Sequence, residues 1–164
     1  MSLRIEPGTG ERVAQYRELA EQAAALVDGE TDRVANAANL AALVYDALSV
    51  VNWAGFYFFD GTELVVGPFQ GKPACVRIAL GSGVCGTAAA TRRTQLVPDV
   101  HRFPGHIACD ADSRSEIVLP LVAGDTLLGV LDLDSPRPSR FDETDQRGLE
   151  KFAEIAVHAT EPHC

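Results

Sequence analysis

The spacing of apolar positions changes several times along the chain, and each change marks an element. Tyr16 to Val27 is rich in Ala, Glu and Leu and predicts a helix. Asp32 can cap a second helix, whose apolar stripe of Val34, Ala38, Ala41, Val44 and Leu48 keeps close to the helical period. Val50 to Phe59 is dense in β-branched and aromatic residues and predicts a strand. Asp60-Gly61 signals a tight turn, and Glu63 to Pro68 is the returning strand of a hairpin. Val76 to Leu80 predicts a third strand, broken by Gly81-Ser82-Gly83, and Ala-rich Val84 to Thr91 a short helix. Gln95 to Val97 is a short strand. Asp99 to Arg114 holds His, Pro, Gly and Asp without a period and reads as a long loop, a feature that in a compact domain is usually functional or disordered. Glu116 to Val122 and Thr126 to Asp134 form a second hairpin around Gly124-Asp125, which Pro136 and Pro138 end. Asp142 caps a final helix reaching about Ala159, with Asp145 adding negative charge to its first turn.

Two hairpins flanked by helices predict an α/β protein of the α+β kind: a mainly antiparallel central sheet with N- and C-terminal helices packed on it. The expected organisation is one domain over residues 16–160, behind a frayed segment 1–15. Side by side, the helical ends would offer a homodimer face.

Composition narrows the function classes. A chain of 164 residues, 46% apolar and 23% charged, fits one globular domain with a core of its own. A net charge of −9 argues against nucleic acid and acidic membrane surfaces as partners. The densest basic runs, Arg92-Arg93 and Arg137 to Arg140, are too short to make a patch. Met1 to Gly10 has no apolar signal region, and no stretch approaches the ~18 apolar residues needed to span a bilayer, so the cytoplasm is the expected compartment. In that reducing compartment Cys75, Cys85, Cys109 and Cys164 are not expected to form permanent bridges. Catalytic, redox and metal-binding roles become the options.

Three of the cysteines crowd the middle of the chain, spaced Cys75-x9-Cys85-x23-Cys109. Cys85 opens a helix, where partial positive charge stabilises a thiolate. A lone cysteine is more often a small buried hydrophobe, but three so close together, two beside Gly or Asp, weigh against that. A zinc site built from Cys75, Cys85, His101, His106 and Cys109 is the rival, although the C-x2-C pair usual in structural zinc sites is missing. A histidine near Cys109 could lower its pKa or carry a proton; the alternative is that both are surface loop residues, which is the reading for His101, with His106 left open.

Alternation along the last strand sets Asp132 and Asp134 on one face, with Leu127, Leu131 and Leu133 on the other, toward the core. Glu116, on the partner strand, would lie across from the two aspartates. Three carboxylates together raise at least one pKa, and such a cluster can hold an ammonium and supply a proton. A solvated acidic face is the bland alternative. Trp53 and Tyr57 are either core or the wall of a small pocket.

The words Asn52-Trp53-Ala54-Gly55-Phe56-Tyr57, Gly67 to Lys72, Gly83-Val84-Cys85-Gly86, Asp99-Val100-His101, Gly105 to Asp110, Ser113 to Glu116 and Leu131 to Ser135 resemble the free methionine-(R)-sulfoxide reductases, which are GAF-domain enzymes. The resemblance implies a single GAF-like domain that reduces free methionine (R)-sulfoxide through thiol chemistry. It implies Cys109 as the nucleophile, Cys75 as the resolving cysteine and Cys85 as an auxiliary or alternative partner. Trp53, Tyr57, Glu116, Asp132 and Asp134 would line the substrate pocket. Thioredoxin would be the external reductant, with no metal or organic cofactor. The alternatives are a non-catalytic GAF sensor of a small ligand, though sensors of that kind are usually joined to output domains, and a metal-binding structural domain.

Overall fold

Six strands pair antiparallel throughout, in the order β3-β2-β1-β6-β5-β4. Along the chain the elements are α1 (Arg12–Val27), α2 (Arg33–Ala47), β1 (Trp53–Phe59), β2 (Glu63–Gly71), β3 (Arg77–Ala79), α3 (Gly83–Thr91), β4 (Gln95–Val97), a 3-10 turn (Val100–Arg102), β5 (Ser115–Ala123), β6 (Thr126–Ser135) and α4 (Glu143–Thr160). This computed structural model describes residues 3–106 and 109–162. The order of elements and the antiparallel sheet are those the sequence predicts. Among the described residues no helix is long and apolar enough to cross a membrane.

Each face of the sheet buries its own cluster. On one face, α1, α2 and α4 close over Phe56, Leu119, Leu131 and Phe152. On the other, α3 and the loops cover Trp53, Tyr57, Val118 and Val130. The terminal helices α1 and α4 do lie against each other.

Three local expectations change. On α2 the buried stripe is Ala37, Leu40, Ala41, Val44 and Ala47, while Val34 and Ala38 face solvent. Both stripes obey the helical period and share Ala41 and Val44, and packing against the sheet and α4 turns the Leu40 side inward. On β6, Leu127 belongs to the α3 side rather than with Leu131 and Leu133. Leu121 pairs with Gly129 but Val122 with Leu127, so Leu128 is an extra residue in the ladder and the alternation flips there. At the N-terminus, where a loose end was expected, Ile5 is fully buried and bridges Leu48, and α1 already begins at Arg12. The early start has a tertiary cause: the Arg12 guanidinium grips Asp142 at 2.7 and 2.8 Å and Asp145 at 3.0 Å. Asp142 caps α4 as expected, its carboxylate accepting from the Thr144 and Asp145 amides while Asp145 accepts from the Asp142 amide.

Glycine allows α3 to sit where it does. A Cβ on Gly86 would run into the Ala79 carbonyl oxygen, so only a bare Cα lets the helix close on the turn after β3. That approach sets the height of Cys85 above the sheet.

Candidate active site

The register of three strands builds the acidic cluster. Glu116 on β5 pairs with Asp134 on β6, which pairs in turn with Trp53 on β1. Asp132 occupies the next same-face position of β6, between Gly55 and Val118. Alternation therefore points all three carboxylates to one face, as predicted, and the structure covers that face with α3. Cys85 is in the first turn of α3, its Sγ 4.0 Å from Glu116 Oε2. Cys85, Glu116 and Asp132 are 5%, 6% and 5% exposed, and Asp134 is half-buried.

Buried like charges do not all ionise. Burial, then Asp132 and Asp134, push the Glu116 carboxyl well above the usual carboxylate range. Asp134 is raised by burial and then by Asp132. Asp132 is raised by burial, against hydrogen bonding with Glu116 and Cys85. The cluster thus retains protons where isolated carboxylates have lost theirs. Burial, followed by Asp132 and Glu116, also pushes the Cys85 thiol up. The helix-terminal stabilisation expected for a Cys85 thiolate, about 0.3–1 kcal/mol at such an end, is outweighed by that burial, and Cys85 stays a thiol.

Cys75 and Cys109 are joined in a disulfide, with Cα atoms 5.5 Å apart across 34 residues of sequence. Cys75 lies between β2 and β3, and Cys109 lies in the long loop before β5. Oxidised in this way, neither thiol is offered to a metal. Cys109 borders a cleft whose walls also hold Trp53, Tyr57, Cys85, Glu116, Asp132 and Asp134. Apart from Cys75, which reaches it through the disulfide, the catalytic and substrate-pocket residues implied by the family resemblance meet at this one cleft. Cys164 lies outside the described residues.

The aromatics of β1 hold the Cys75 segment as well as walling the cleft. Tyr57 donates its hydroxyl to the Cys75 carbonyl at 3.1 Å, and Trp53 donates Nε1 to the Lys72 carbonyl at 3.1 Å. The Trp53 ring stacks on Phe69 with centroids 5.1 Å apart. Burial and the nearby Asp132 raise the Tyr57 pKa, so its hydroxyl remains a donor.

Other cleft residues drew no role from the sequence. Asp110, beside Cys109, and Ser113 line the cleft and are held from below by Asn52, whose Nδ2 lies 3.2 Å from Asp110 Oδ2 and 3.4 Å from Ser113 Oγ. The Gly105 to Asp110 and Ser113 to Glu116 words contained both. Ser82 and Gly83 bring the start of α3 to the cleft, and the Ser82 side chain makes no cap, leaving first-turn amides without an intrahelical partner. His106 lines the cleft too, and burial followed by His101 lowers its pKa, which favours the neutral ring. His101 is exposed and outside the cleft lining.

Comparison with known proteins identifies the family. The GAF domain matches residues 13–159. Over 137 residues the chain is 54% identical to the free methionine-R-sulfoxide reductase of Escherichia coli (strain K12), covering 84% of this chain and 83% of that one. A structure of the free methionine-R-sulfoxide reductase from Neisseria meningitidis in complex with its substrate superposes with a TM-score of 0.88 at 45% identity, over 98% of this chain and 96% of that one. A crystal structure from Burkholderia vietnamiensis, provisionally described as a GAF sensor protein, is 67% identical with a TM-score of 0.87, over 89% and 93% of the two chains. A single GAF domain spanning nearly the whole fold, with reductases this similar over most of their own length, leaves one assignment: the chain belongs to the free methionine-R-sulfoxide reductase family of GAF-domain proteins.

Proposed function

We propose that this protein reduces free L-methionine (R)-sulfoxide to methionine in the cytoplasm, with Cys109 as nucleophile, Cys75 as resolving thiol and thioredoxin as the reductant. One observation carries the reading: the sulfur at 109 borders the acidic cleft and is also bonded to the sulfur at 75.

The residue types suit each step. The Cys109 thiolate attacks the sulfoxide sulfur while the sulfoxide oxygen takes a proton from the carboxylic acid of Glu116. The sulfoxide gains two electrons and leaves as methionine, and the oxygen ends on Cys109 as a sulfenic acid. The Cys75 thiol then displaces water from that sulfur and forms the disulfide. Thioredoxin's dithiol opens the disulfide by exchange, returning both thiols. The sequence needs no metal or organic cofactor. Cys85 serves as an auxiliary thiol, slow to exchange while buried and protonated.

Recognition of a free amino acid falls to the same cleft. The substrate ammonium draws ionisation from the Asp132 and Asp134 side while Glu116 keeps its proton. The α-carboxylate is left to the free amides at the start of α3 beside Ser82 and Gly83. Trp53 walls the side chain.

The test is steady-state turnover of both methionine sulfoxide epimers with thioredoxin as donor, beside single-turnover product counts. Wild type turns over the R epimer continuously, Cys75→Ser stops after one methionine per protein, and Cys109→Ser yields none. Continued turnover by Cys109→Ser would overturn the reading.

A further inference from the structure

We infer that the floor of the cleft is a binding site for a soft divalent cation of the zinc and cadmium kind, held by Cys85, Glu116 and Asp132. One ligand atom from each lies within 4.8 Å of the other two, and Cys85 Sγ is 4.0 Å from Glu116 Oε2. The donors come from α3, β5 and β6, all regular elements fixed by the sheet register and the close seating of α3 at Gly86. Metal–ligand bonds of about 2.0–2.3 Å place tetrahedral donors roughly 3.3–3.8 Å apart, which small side-chain rotations here can reach.

A second observation points to a ligand independently of the clustering. Asp132 is 5% exposed, and its Oδ1 has no hydrogen-bond partner. A carboxylate oxygen out of water with no donor is an acceptor awaiting a positive group. Among the described residues the cleft lining contains no Lys or Arg, and His106 is its sole basic side chain. Asp134, directly across from Glu116, offers a further oxygen.

The sulfur decides the class of ion. A thiolate with carboxylates selects zinc or cadmium over magnesium or calcium, which take oxygen alone. As the metal–ligand bonds form, the Cys85 thiol proton and the proton held by Glu116 pass to buffer, and nothing is oxidised or reduced. The metal occupies the oxygens assigned above to the substrate ammonium, so it excludes methionine sulfoxide. That consequence rests on the proposed reductase function, whereas the binding itself does not.

The experiment uses the full chain with the 75–109 disulfide intact and Cys164→Ser, so that Cys85 is the one thiol. Cadmium is titrated in chelator-free buffer and read by thiolate-to-cadmium charge-transfer absorption. Saturation at one equivalent is expected, with the band lost in Cys85→Ser and affinity lowered about tenfold or more in Asp132→Asn. No band up to millimolar cadmium, or unchanged affinity in Asp132→Asn, overturns the inference. Should Cys85→Ser fail to fold by far-UV circular dichroism, X-ray absorption on zinc-loaded protein decides: one sulfur with two or three oxygens supports the site, and a shell without sulfur ends it. A protein that binds cadmium through Cys85 yet never turns over methionine sulfoxide would keep this site and lose the reductase function.

Discussion

Glu116 on β5 stands directly across the ladder from Asp134 on β6, a carboxylate opposite a carboxylate at a position where sheets ordinarily avoid like charges. With Asp132 beside them and most of the cluster out of water, the arrangement costs stability in order to hold a proton. Its consequences are measurable in activity and in stability.

In the proposed reaction Glu116 works in its acid form, so kcat/KM should fall as pH rises through its raised pKa. Glu116→Gln keeps the shape but has no proton to give, and its rate should drop by about 10²–10⁴-fold. Asp132→Asn removes one of the charges that raise Glu116, after burial, and should move the alkaline limb of the profile to lower pH. A limb that stays in place in Asp132→Asn would mean that another group supplies the proton.

In stability Glu116→Gln acts in the opposite direction from its effect on rate. The folded pKa of Glu116 is raised above its unfolded value, so its contribution is whole below the ordinary carboxylate range and is lost as pH rises through the raised pKa. Glu116→Gln carries no such loss. Its melting temperature should exceed that of wild type by a few degrees at neutral and alkaline pH, with the gap closing toward pH 4. Thermal melts across that range decide it, and an equal offset at every pH would assign the change to packing rather than ionisation.

Much of this site was legible because it lies on strands. Period-two alternation put Asp132 and Asp134 on one face, and the hairpin put Glu116 opposite, with no knowledge of tertiary packing. The partnership of Cys75 with Cys109 came from family resemblance, since both residues lie in loops and spacing alone left the pairing open. Leu127 was misplaced because one extra residue, Leu128, reverses the alternation, and a bulge leaves no mark on an apolar run. The α2 stripe was misread because an Ala-rich helix offers two faces of similar period, and only the partner chooses between them. Arg12, Arg140 and Asp145 were out of reach for a further reason. Charged residues are ordinarily at the surface, and nothing local announces that three elements will close over them.

Gly86 ties the site to the fold, and its substitution separates the two. In Gly86→Ala the new Cβ meets the Ala79 carbonyl, a backbone atom with little room to move. Overpacking of this kind costs about 1–3 kcal/mol, and relief by lifting α3 would draw Cys85 away from Glu116. Lower stability in denaturant melts and a raised KM are expected together. Gly10→Ala, with nothing within 4 Å of the added carbon, serves as the control and should stay within about 0.5 kcal/mol of wild type.

The largest stability loss should come from Asp145, across the sheet from the α3 layer. Its carboxylate is fully buried, accepts from Tyr16 Oη at 2.7 Å and Arg12 Nη1 at 3.0 Å, and lies 3.6 Å from Arg140 Nη1. Arg140, 1% exposed, is held further by the carbonyls of Ser49 at 2.8 Å and Ile5 at 3.0 Å. These bonds fasten the N-terminal segment and α1 to the start of α4. Asp145→Ala leaves two guanidiniums in the interior without their shared counter-charge, a loss of about 3–5 kcal/mol against the 5–15 typical of a whole domain. Urea melts of Asp145→Ala, Arg12→Ala and the pair measure it. The double variant should be far less destabilised than the sum of the singles, because the second substitution removes a charge that the first had stranded. Additive losses would show that the groups act separately and that the N-terminal segment is fastened by Ile5 packing instead.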